Sequence, residues 1–272
     1  MHQQHGLTLS FTPFEPVKIY PVVSENVLPG IALHRRSLLR GGRRKPAAWY
    51  ARPTPFATLP SAHATTGERV AAAAPQTSTT VVSSEDDRLI LVDGDDRPVG
   101  ELDKAACHDG DGVRHRAFSV FLIDRQGRLL LQRRADSKRL WPNFWSNSCC
   151  SHPRAGETLE RAVSRRVKEE LGIVATAEFI YRFEYQARFG DLGSEHEVCS
   201  VYLGQAFADP RVNTTEISEW RWITADELDT ALTTDPASFT PWFLMEWSTL
   251  RKQHADRLAH YGVPLPLRTS ET

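Results

Sequence analysis

Three histidines and two glutamates have the types and spacing expected of a metal-binding group. His108 and His115 flank a Gly-rich loop, and His152 follows an Asn-Ser-Cys-Cys run. Glu195 and Glu197 lie at the start of a predicted strand, where the side-chain period directs both carboxylates to one face. Such a mixed nitrogen and oxygen set is too large for tetrahedral structural zinc and suits Mn, Mg or a relaxed Zn site.

Residues 151–173 combine a dense charge pattern with helical periodicity. They resemble the Nudix box, G-x5-E-x7-R-E-U-x-E-E-x-G-U, a motif that handles diphosphates. The matching residues are Glu157, Arg165, Val167, Glu169, Glu170, Gly172 and Ile173. There are two departures, since Ser151 replaces the first Gly and Arg166 replaces a Glu. In Nudix hydrolases the helix glutamates gather the cation that bridges phosphate oxygens, so Arg166 would weaken hydrolysis and add a phosphate ligand.

Residues 141–153, WPNFWSNSCCSHP, resemble the signature of type 1 isopentenyl-diphosphate isomerases. In that signature a cysteine follows an Asn-Ser pair and precedes a histidine by two positions, which aligns Cys150 and His152. The family usually has Gly where this chain has Ser151, and Cys149 doubles the thiol. The resemblance extends over residues 87–262, and several separate motifs agree in order and spacing.

This resemblance implies the roles of the catalytic residues. In the family, three histidines and two glutamates of this order hold one divalent cation. Cys150 and Glu197 would add one proton to an alkene and remove another, through a tertiary carbocation that water would trap. Tyr185 would hydrogen-bond to the carboxylate side, and Trp242 would turn its π face to the carbocation. His196 is expected on the opposite face of its strand and is excluded from the metal set.

The same resemblance implies a diphosphate-binding group. The basic residues at the matching positions are Lys104, Arg134, Lys138 and Arg166. Glu170 matches the carboxylate that holds a second Mg, carried with the substrate. Arg makes bidentate contacts with phosphate, whereas Lys acts as a point charge. The alternative for Arg166 and Glu170 is an exposed helical ion pair, worth only ~0.3 kcal/mol, and Arg133 is expected on a solvated face.

Composition limits the classes of function. The 272 residues include 33 basic and 34 acidic side chains, for a net charge of -1, so nucleic acid and membrane surfaces are not expected partners. Four cysteines make no disulfide framework, and no apolar stretch approaches the ~20 residues of a membrane span. The prediction is a cytoplasmic protein, a monomer or weak dimer, that acts on a small molecule.

The first part of the chain differs from the rest. Residues 1–83 are poor in acids, carry a basic cluster over 35–45, and are rich in Pro, Ala, Ser and Thr. Such composition predicts a mostly disordered extension over residues 1–84. It also resembles a plastid or mitochondrial transit peptide, with a nonconserved extension or an over-long gene model as alternatives. The predicted isomerase domain covers residues 85–265, and residues 266–272 form a tail.

The pattern from residue 87 onward predicts strands interrupted by a few helices. We expect a strand-turn-strand unit from residue 87, a hairpin over 117–132 and a box helix over 158–171. Two long strands follow, over 179–189 and 197–207, and then a strand leads into a helix opened by a capping box of Thr224 and Glu227. A last helix is expected over 241–260. Strands outnumber helices, which favours a Nudix-type α/β/α sandwich around a mixed sheet.

Taken with these elements, the resemblance implies an isomerase that converts isopentenyl to dimethylallyl diphosphate without a redox cofactor. Two alternatives are a Nudix hydrolase of a nucleoside-diphosphate derivative and an inactive member that acts as a scaffold. Cys150 and the five-ligand metal set argue against the hydrolase, because hydrolysis needs a metal-activated water and no thiol. The intact acid/base pair argues against the scaffold.

Overall fold

The computed structural model of the protein describes residues 18–20 and 77–265, which form ten β-strands and five α-helices. The strands are β1 Lys18–Tyr20, β2 Arg88–Val92, β3 Pro98–Asp103, β4 His115–Ile123, β5 Leu129–Arg134, β6 Trp145–Ser146, β7 Cys149–Ser151, β8 Ala177–Phe189, β9 Gly193–Gln205 and β10 Ile217–Ile223. The helices are α1 Lys104–Cys107, α2 Leu159–Leu171, α3 Ala225–Thr234, α4 Pro241–Gln253 and α5 Ala255–His260. No helix within this described part is long and apolar enough to cross a membrane.

The strands form one mixed sheet in which β1, β8, β9, β4, β2 and β3 are successive neighbours. Strands β4 and β9 run parallel, and their register places His115 opposite Glu197. Strands β8 and β9 are antiparallel, and their register places Tyr185 opposite the same Glu197. The sheet therefore brings three predicted site residues from distant parts of the chain into adjacent positions.

Helices cover both faces of this sheet. Along β4, Phe118 and Val120 face α2 and pack against Val163 and its neighbours. The alternate residues, represented by Phe121, face α4 and pack against Phe243. This alternation follows from the two-residue period of a strand, with both faces apolar because both are covered. The arrangement confirms the predicted α/β sandwich around a mixed sheet.

The box helix α2 begins and ends where its sequence predicts. Thr158 precedes the helix and accepts a hydrogen bond from the Arg161 backbone N–H, which satisfies one free amide of the first turn. Gly172 follows the last turn with a φ of 63°, a left-handed conformation that glycine adopts without strain. The helix therefore has a fixed register, which fixes the direction of its charged side chains.

Two predicted elements differ in the structure. The predicted hairpin over 117–132 has one paired position between its strands, Ile123 with Leu129, because β5 instead pairs along its length with β10. The predicted last helix divides into α4 and α5 at His254, which leaves helical geometry at a φ of -131°. The His254 ring stacks on Tyr181 at 5.0 Å between centroids, and this contact holds the bend.

The described chain resumes at residue 77, before the predicted domain boundary at residue 85. The Ser78 N–H donates to the Val212 carbonyl, and the Thr214 N–H donates to the Ser78 carbonyl. Asn213 Nδ2 donates to the Thr80 carbonyl at 2.7 Å. Residues 78–84 thus bond to the sheet domain, and the boundary stays a prediction. The rest of the predicted extension, except Lys18–Tyr20, and the tail over 266–272 lie outside the described residues.

Candidate active site

A pocket of about 660 Å³ collects most of the predicted site residues. Those that line it are Lys104, His108, Arg134, Lys138, Cys150, His152, Arg166, Tyr185, Glu195, Glu197 and Trp242. His115 and Glu170 are buried, at 0% and 2% exposure, and do not line it. Residues that are widely separated in sequence therefore converge on one pocket.

The predicted metal ligands lie together. Nitrogen atoms of His108, His115 and His152 and an oxygen of Glu195 are all within 4.8 Å of one another. Glu197 adds a fifth group, because its Oε1 lies 2.8 Å from His152 Nε2 and 3.7 Å from His115 Nε2. The pairing of β4 with β9 places His115 beside Glu197, and His152 directly follows the last residue of β7.

The donor atoms of this cluster suit a divalent cation. His108 Nε2 lies 2.8 Å from Glu195 Oε2, and His115 Nε2 lies 4.0 Å from the same oxygen, so these buried atoms face one another. A bound divalent cation would give these nitrogen and oxygen atoms one common partner. His115 Nδ1 donates to the Val113 carbonyl at 2.7 Å, which leaves Nε2 with its lone pair free for a metal. Burial lowers the pKa of His152 to about 4, which keeps this imidazole neutral as a ligand must be.

Glu197 also contacts an aromatic residue of the pocket. The Tyr185 hydroxyl donates to Glu197 Oε2 at 2.7 Å, while Oε1 contacts the histidines. Burial alone would raise the pKa of Glu197, but the neighbouring imidazoles of His115 and His152 outweigh it and hold the pKa below its usual range. His196, between the two glutamates, contacts Glu184 instead and takes no part in the cluster.

The two adjacent cysteines have different environments. Cys149 is fully buried and packs in the apolar cluster that contains Val163 and Val167 of α2. Cys150 is partly exposed and lines the pocket. Burial raises the pKa of Cys150 to about 12, although the nearby Arg134 guanidinium acts in the opposite direction. Of the two adjacent thiols, that of Cys150 therefore lies at the pocket.

A strained loop holds Arg134 between Cys150 and Trp242. Non-glycine residues adopt positive φ at Trp141, 46°, and at Asn143, 65°. The Trp141 carbonyl accepts from Arg134 Nε at 3.0 Å, and the guanidinium lies 5.3 Å from the Trp242 ring centroid. Its NH1 is 4.0 Å from Cys150 Sγ. Arg134 therefore contacts both Cys150 and Trp242.

Arg166 and Glu170 form a buried pair, which corrects the alternative of an exposed helical ion pair. Both are about 3% exposed at the side chain, and the distance from Arg166 NH2 to Glu170 Oε1 is 2.7 Å. Arg166 NH1 also donates to the Val82 carbonyl at 2.8 Å. On the other side of the box, Arg165 binds Glu157 at 2.6 Å and Glu169 at 3.1 Å. Helix α2 therefore turns Arg166 toward the pocket, whereas Arg165 binds Glu169 of the same helix and Glu157 just before it.

Among the pocket residues that were not identified from sequence, three contact the predicted basic residues. Ser83 and Glu85 contact Lys104 Nζ at 3.0 Å and 3.1 Å. Glu216, which precedes β10, pairs with Lys138 and Arg166. None of the three belongs to a motif or a periodic pattern, so local sequence carries no signal for them. Arg133, in contrast, lies outside the pocket and pairs with Glu219, as expected of a solvated face.

Comparison with known proteins places this geometry in a family. A model of the NUDIX domain matches residues 113–243. The chain is 40% identical over 174 residues to isopentenyl-diphosphate Delta-isomerase 1 of Photorhabdus laumondii, a match that covers 63% of this chain and 99% of that protein. The chain belongs to the isopentenyl-diphosphate Delta-isomerase family. It is also 42% identical over 177 residues to isopentenyl-diphosphate Delta-isomerase of Frankia alni, which covers 64% of this chain and 89% of that protein.

Membership of the isopentenyl-diphosphate Delta-isomerase family confirms the resemblance inferred from the two motifs. A solved structure from Deinococcus radiodurans, DR0079, is 28% identical, with a TM-score of 0.45 over 54% of this chain and 89% of that one. The NUDIX match over residues 113–243 includes the two adjacent cysteines, helix α2 and four of the five clustered residues, and His108 lies just before it. The roles of individual side chains stay predictions, which the following sections develop.

Proposed function

We propose that this protein is an isomerase that converts isopentenyl diphosphate into dimethylallyl diphosphate. The observation that carries the proposal is that a thiol, Cys150, and a carboxylate, Glu197, line the same pocket as the basic residues. The reaction adds a proton to the terminal alkene carbon and removes one from the carbon on the other side of the resulting cation. Two proton-transfer groups on one pocket suffice for this chemistry, and no redox cofactor is required.

Cys150 and Glu197 are the proposed acid/base pair, one donating the proton and the other removing it. Tyr185 holds Glu197 by the hydrogen bond to Oε2, so the other oxygen stays directed toward the histidines. A carboxylate fixed at both oxygens cannot rotate freely, which keeps the reacting oxygen in a constant direction. Holding a reacting group in the correct direction increases the reaction rate without any further chemical group.

The proposed carbocation needs protection from water. Trp242 is 2% exposed and Tyr185 is 6% exposed, and their rings lie 6.2 Å apart at the inner side of the pocket. Aromatic faces attract a cation without offering it a nucleophile. Trp242 also donates from Nε1 to Ser146 Oγ at 3.1 Å, which fixes the direction of its ring. The aromatic wall therefore favours the cationic intermediate over its capture by water.

His108, His115, His152, Glu195 and Glu197 are the proposed ligands of one divalent cation, Mn, Mg or Zn. When bound, this cation supplies a fixed positive charge that orients Glu197 and tunes its basicity. Glu170, in the pair with Arg166, is the proposed ligand of a second Mg that arrives with the substrate. Lys104, Arg134, Lys138 and Arg166 line the remaining wall and would bind the diphosphate oxygens.

Proton NMR of isopentenyl diphosphate incubated with the enzyme and Mg in D2O tests the proposal. Deuterium-labelled dimethylallyl diphosphate is the expected product, because protons exchange between the catalytic pair and solvent. Release of inorganic phosphate without isomerisation would overturn the proposal in favour of a Nudix hydrolase of a nucleoside-diphosphate derivative. Recovery of unlabelled substrate alone would support the scaffold alternative.

The bacterial sources of the relatives support a cytoplasmic location. The plastid and mitochondrial alternatives depend on residues 1–83, of which the structure describes Lys18–Tyr20 and 77–83.

A further inference from the structure

Glu216 is a buried carboxylate placed between two of the basic residues proposed to bind diphosphate. It is 3% exposed, and its Oε2 forms an ion pair with Lys138 Nζ and lies 3.2 Å from Arg166 NH2. Its backbone is fixed as well, because its carbonyl accepts from the Ala135 N–H at 2.9 Å. That bond ties Glu216 to the loop that carries Lys138.

The charges around Glu216 nearly cancel before any ligand binds. Arg166 pairs with Glu170 at 2.7 Å and with Glu216 at 3.2 Å, and Lys138 pairs with Glu216. Two cations therefore face two buried carboxylates, and Arg166 NH1 also lies 3.5 Å from the partly exposed Glu169. Arg166 and both glutamates are at most 3% exposed, so water screens these interactions little.

An incoming diphosphate changes this balance. A diphosphate that contacts Lys138 and Arg166 competes with Glu216 for their N–H groups, and each bond that it takes leaves the buried carboxylate less well neutralised. Breaking a buried pair in this way is strongly unfavourable. A divalent cation that arrives with the diphosphate removes the difficulty, because it gives Glu216 and Glu170 a new positive partner.

We propose that Glu216 makes diphosphate binding in this pocket depend on a divalent cation. The inference rests on the proposed function only in that the pocket accepts a diphosphate. Glu216 opposes the metal-free anion by occupying Lys138 and Arg166, and it ceases to oppose the anion once a cation accompanies it. It is a specificity-determining residue for the metal-bound form of the ligand. A purely positioning role, in which Glu216 only holds the two cations in place, predicts a different result.

Calorimetric titration of inorganic diphosphate distinguishes the two roles. The Kd is measured with excess Mg and after chelation of divalent metal, for the wild type and for Glu216→Gln. We expect the variant to bind metal-free diphosphate about 10-fold more tightly than the wild type, equivalent to about 1.4 kcal/mol. With Mg the affinity of the variant should be unchanged or weaker. The ratio of the Kd without Mg to the Kd with Mg should therefore be at least 10-fold smaller in the variant than in the wild type. Equal or weaker metal-free binding in the variant would overturn the proposal.

Matched variants separate charge from position. Glu216→Asp keeps the charge but shortens the side chain, and should retain most of the Mg dependence, whereas a positioning role predicts the same loss as in Glu216→Gln. Glu219→Gln makes the same change at an exposed residue that pairs with Arg133, and should leave both Kd values unchanged. If thermal melting shows that Glu216→Gln is not folded, Glu216→Ser serves as a second neutral variant.

The outcome is distinguishable from failure of the proposed function. If the wild type binds diphosphate with Mg but gives no labelled product in the NMR experiment, the isomerase proposal fails and the role of Glu216 is still decided by the Kd ratios. If the wild type binds no diphosphate even with Mg, both proposals are overturned.

Discussion

Tyr185 and Glu197 are directly opposed on neighbouring antiparallel strands, and the Tyr185 hydroxyl donates to Glu197 Oε2 at 2.7 Å. The contact joins the aromatic wall to the metal cluster, since the other oxygen of Glu197 contacts His152 at 2.8 Å. One carboxylate therefore belongs to both parts of the site. The register of two strands, rather than a flexible loop, sets its position.

Replacing Tyr185 with Phe should lower kcat about 10- to 100-fold, because Glu197 loses the bond that fixes one oxygen. The Phe ring keeps the stacking on Phe183, where the centroids are 5.4 Å apart, so the fold should be preserved. Steady-state kinetics and bound metal per chain are the measurements, and metal content should be retained. Tyr261→Phe is the control, because Tyr261 bonds to the Leu203 carbonyl outside the pocket. An unchanged kcat in Tyr185→Phe would count against the role assigned to this hydroxyl.

The doubled cysteine allows a paired test of the proton-transfer group. Cys150→Ala should reduce isomerisation by more than about 1,000-fold while diphosphate still binds, because the basic residues hold the phosphates independently. Cys149→Ala should keep its turnover but lose roughly 1–2 kcal/mol of stability, since it leaves a small cavity beside α2. Turnover and thermal melting of both variants check this. If the losses are reversed between the two variants, the catalytic thiol is Cys149.

Metal content provides the test of the ligand set. Alanine at His108, His115 or His152 should lower bound divalent metal well below one per chain, because water replaces a fixed ligand poorly. Metal analysis after dialysis measures this for each variant. His196→Ala is the matched control and should keep its metal, since His196 contacts Glu184 at 3.1 Å on the opposite face. Equal metal content in all four variants would exclude the assignment.

Sequence predicted those parts of the site that belong to motifs. The Cys150–His152 spacing and the box helix fix one another, so register alone predicted a pocket thiol at Cys150 and a helix over 158–171, which the structure has as Leu159–Leu171. Glu216 was missed because its partners, Lys138 and Arg166, come from a loop and a helix far away in sequence. The divergence of β5 from β4 was missed for the same reason, since β10 supplies its partner. The bend at His254 depends on stacking against Tyr181, which no Pro or Gly signals.

The start of the folded domain can be located by comparing two truncations. From the sequence, a chain that lacks residues 1–83 is expected to keep activity and melting temperature nearly unchanged. In the structure, Val82 accepts from Arg166 at 2.8 Å, and Ser83 contacts Lys104 at 3.0 Å. We therefore expect a chain that begins at residue 84 to melt several degrees lower, and to show a higher KM, than one that begins at residue 77. Equal melting temperature and KM in the two truncations would restore the boundary near residue 85.

Glu246 of α4 is an unused acid buried beneath the site. It is 0% exposed, its Oε1 lies 3.7 Å from Cys199 Sγ, and within residues 77–265 its Oε2 has no hydrogen-bond partner. Burial, reinforced by the charge of Glu197, raises the pKa of Glu246 well above its usual range despite hydrogen bonds with Ser119 and Cys199. The folded protein therefore keeps a proton at this carboxyl under conditions where the unfolded chain releases it.

This difference in proton binding predicts how stability varies with pH. Above the unfolded pKa of about 4.3 the unfolded chain binds fewer protons than the folded protein, so the Glu246 contribution to the free energy of unfolding falls as pH rises. The fall is at most about 1.4 kcal/mol per pH unit and ends at the raised folded-state pKa. Glu246→Gln cannot ionise, so its melting temperature relative to the wild type should increase steadily from pH 5 to pH 8. Glu219→Gln, an exposed control, should show a constant difference. A constant difference for Glu246→Gln as well would mean that this carboxyl ionises in the folded protein at its ordinary pKa.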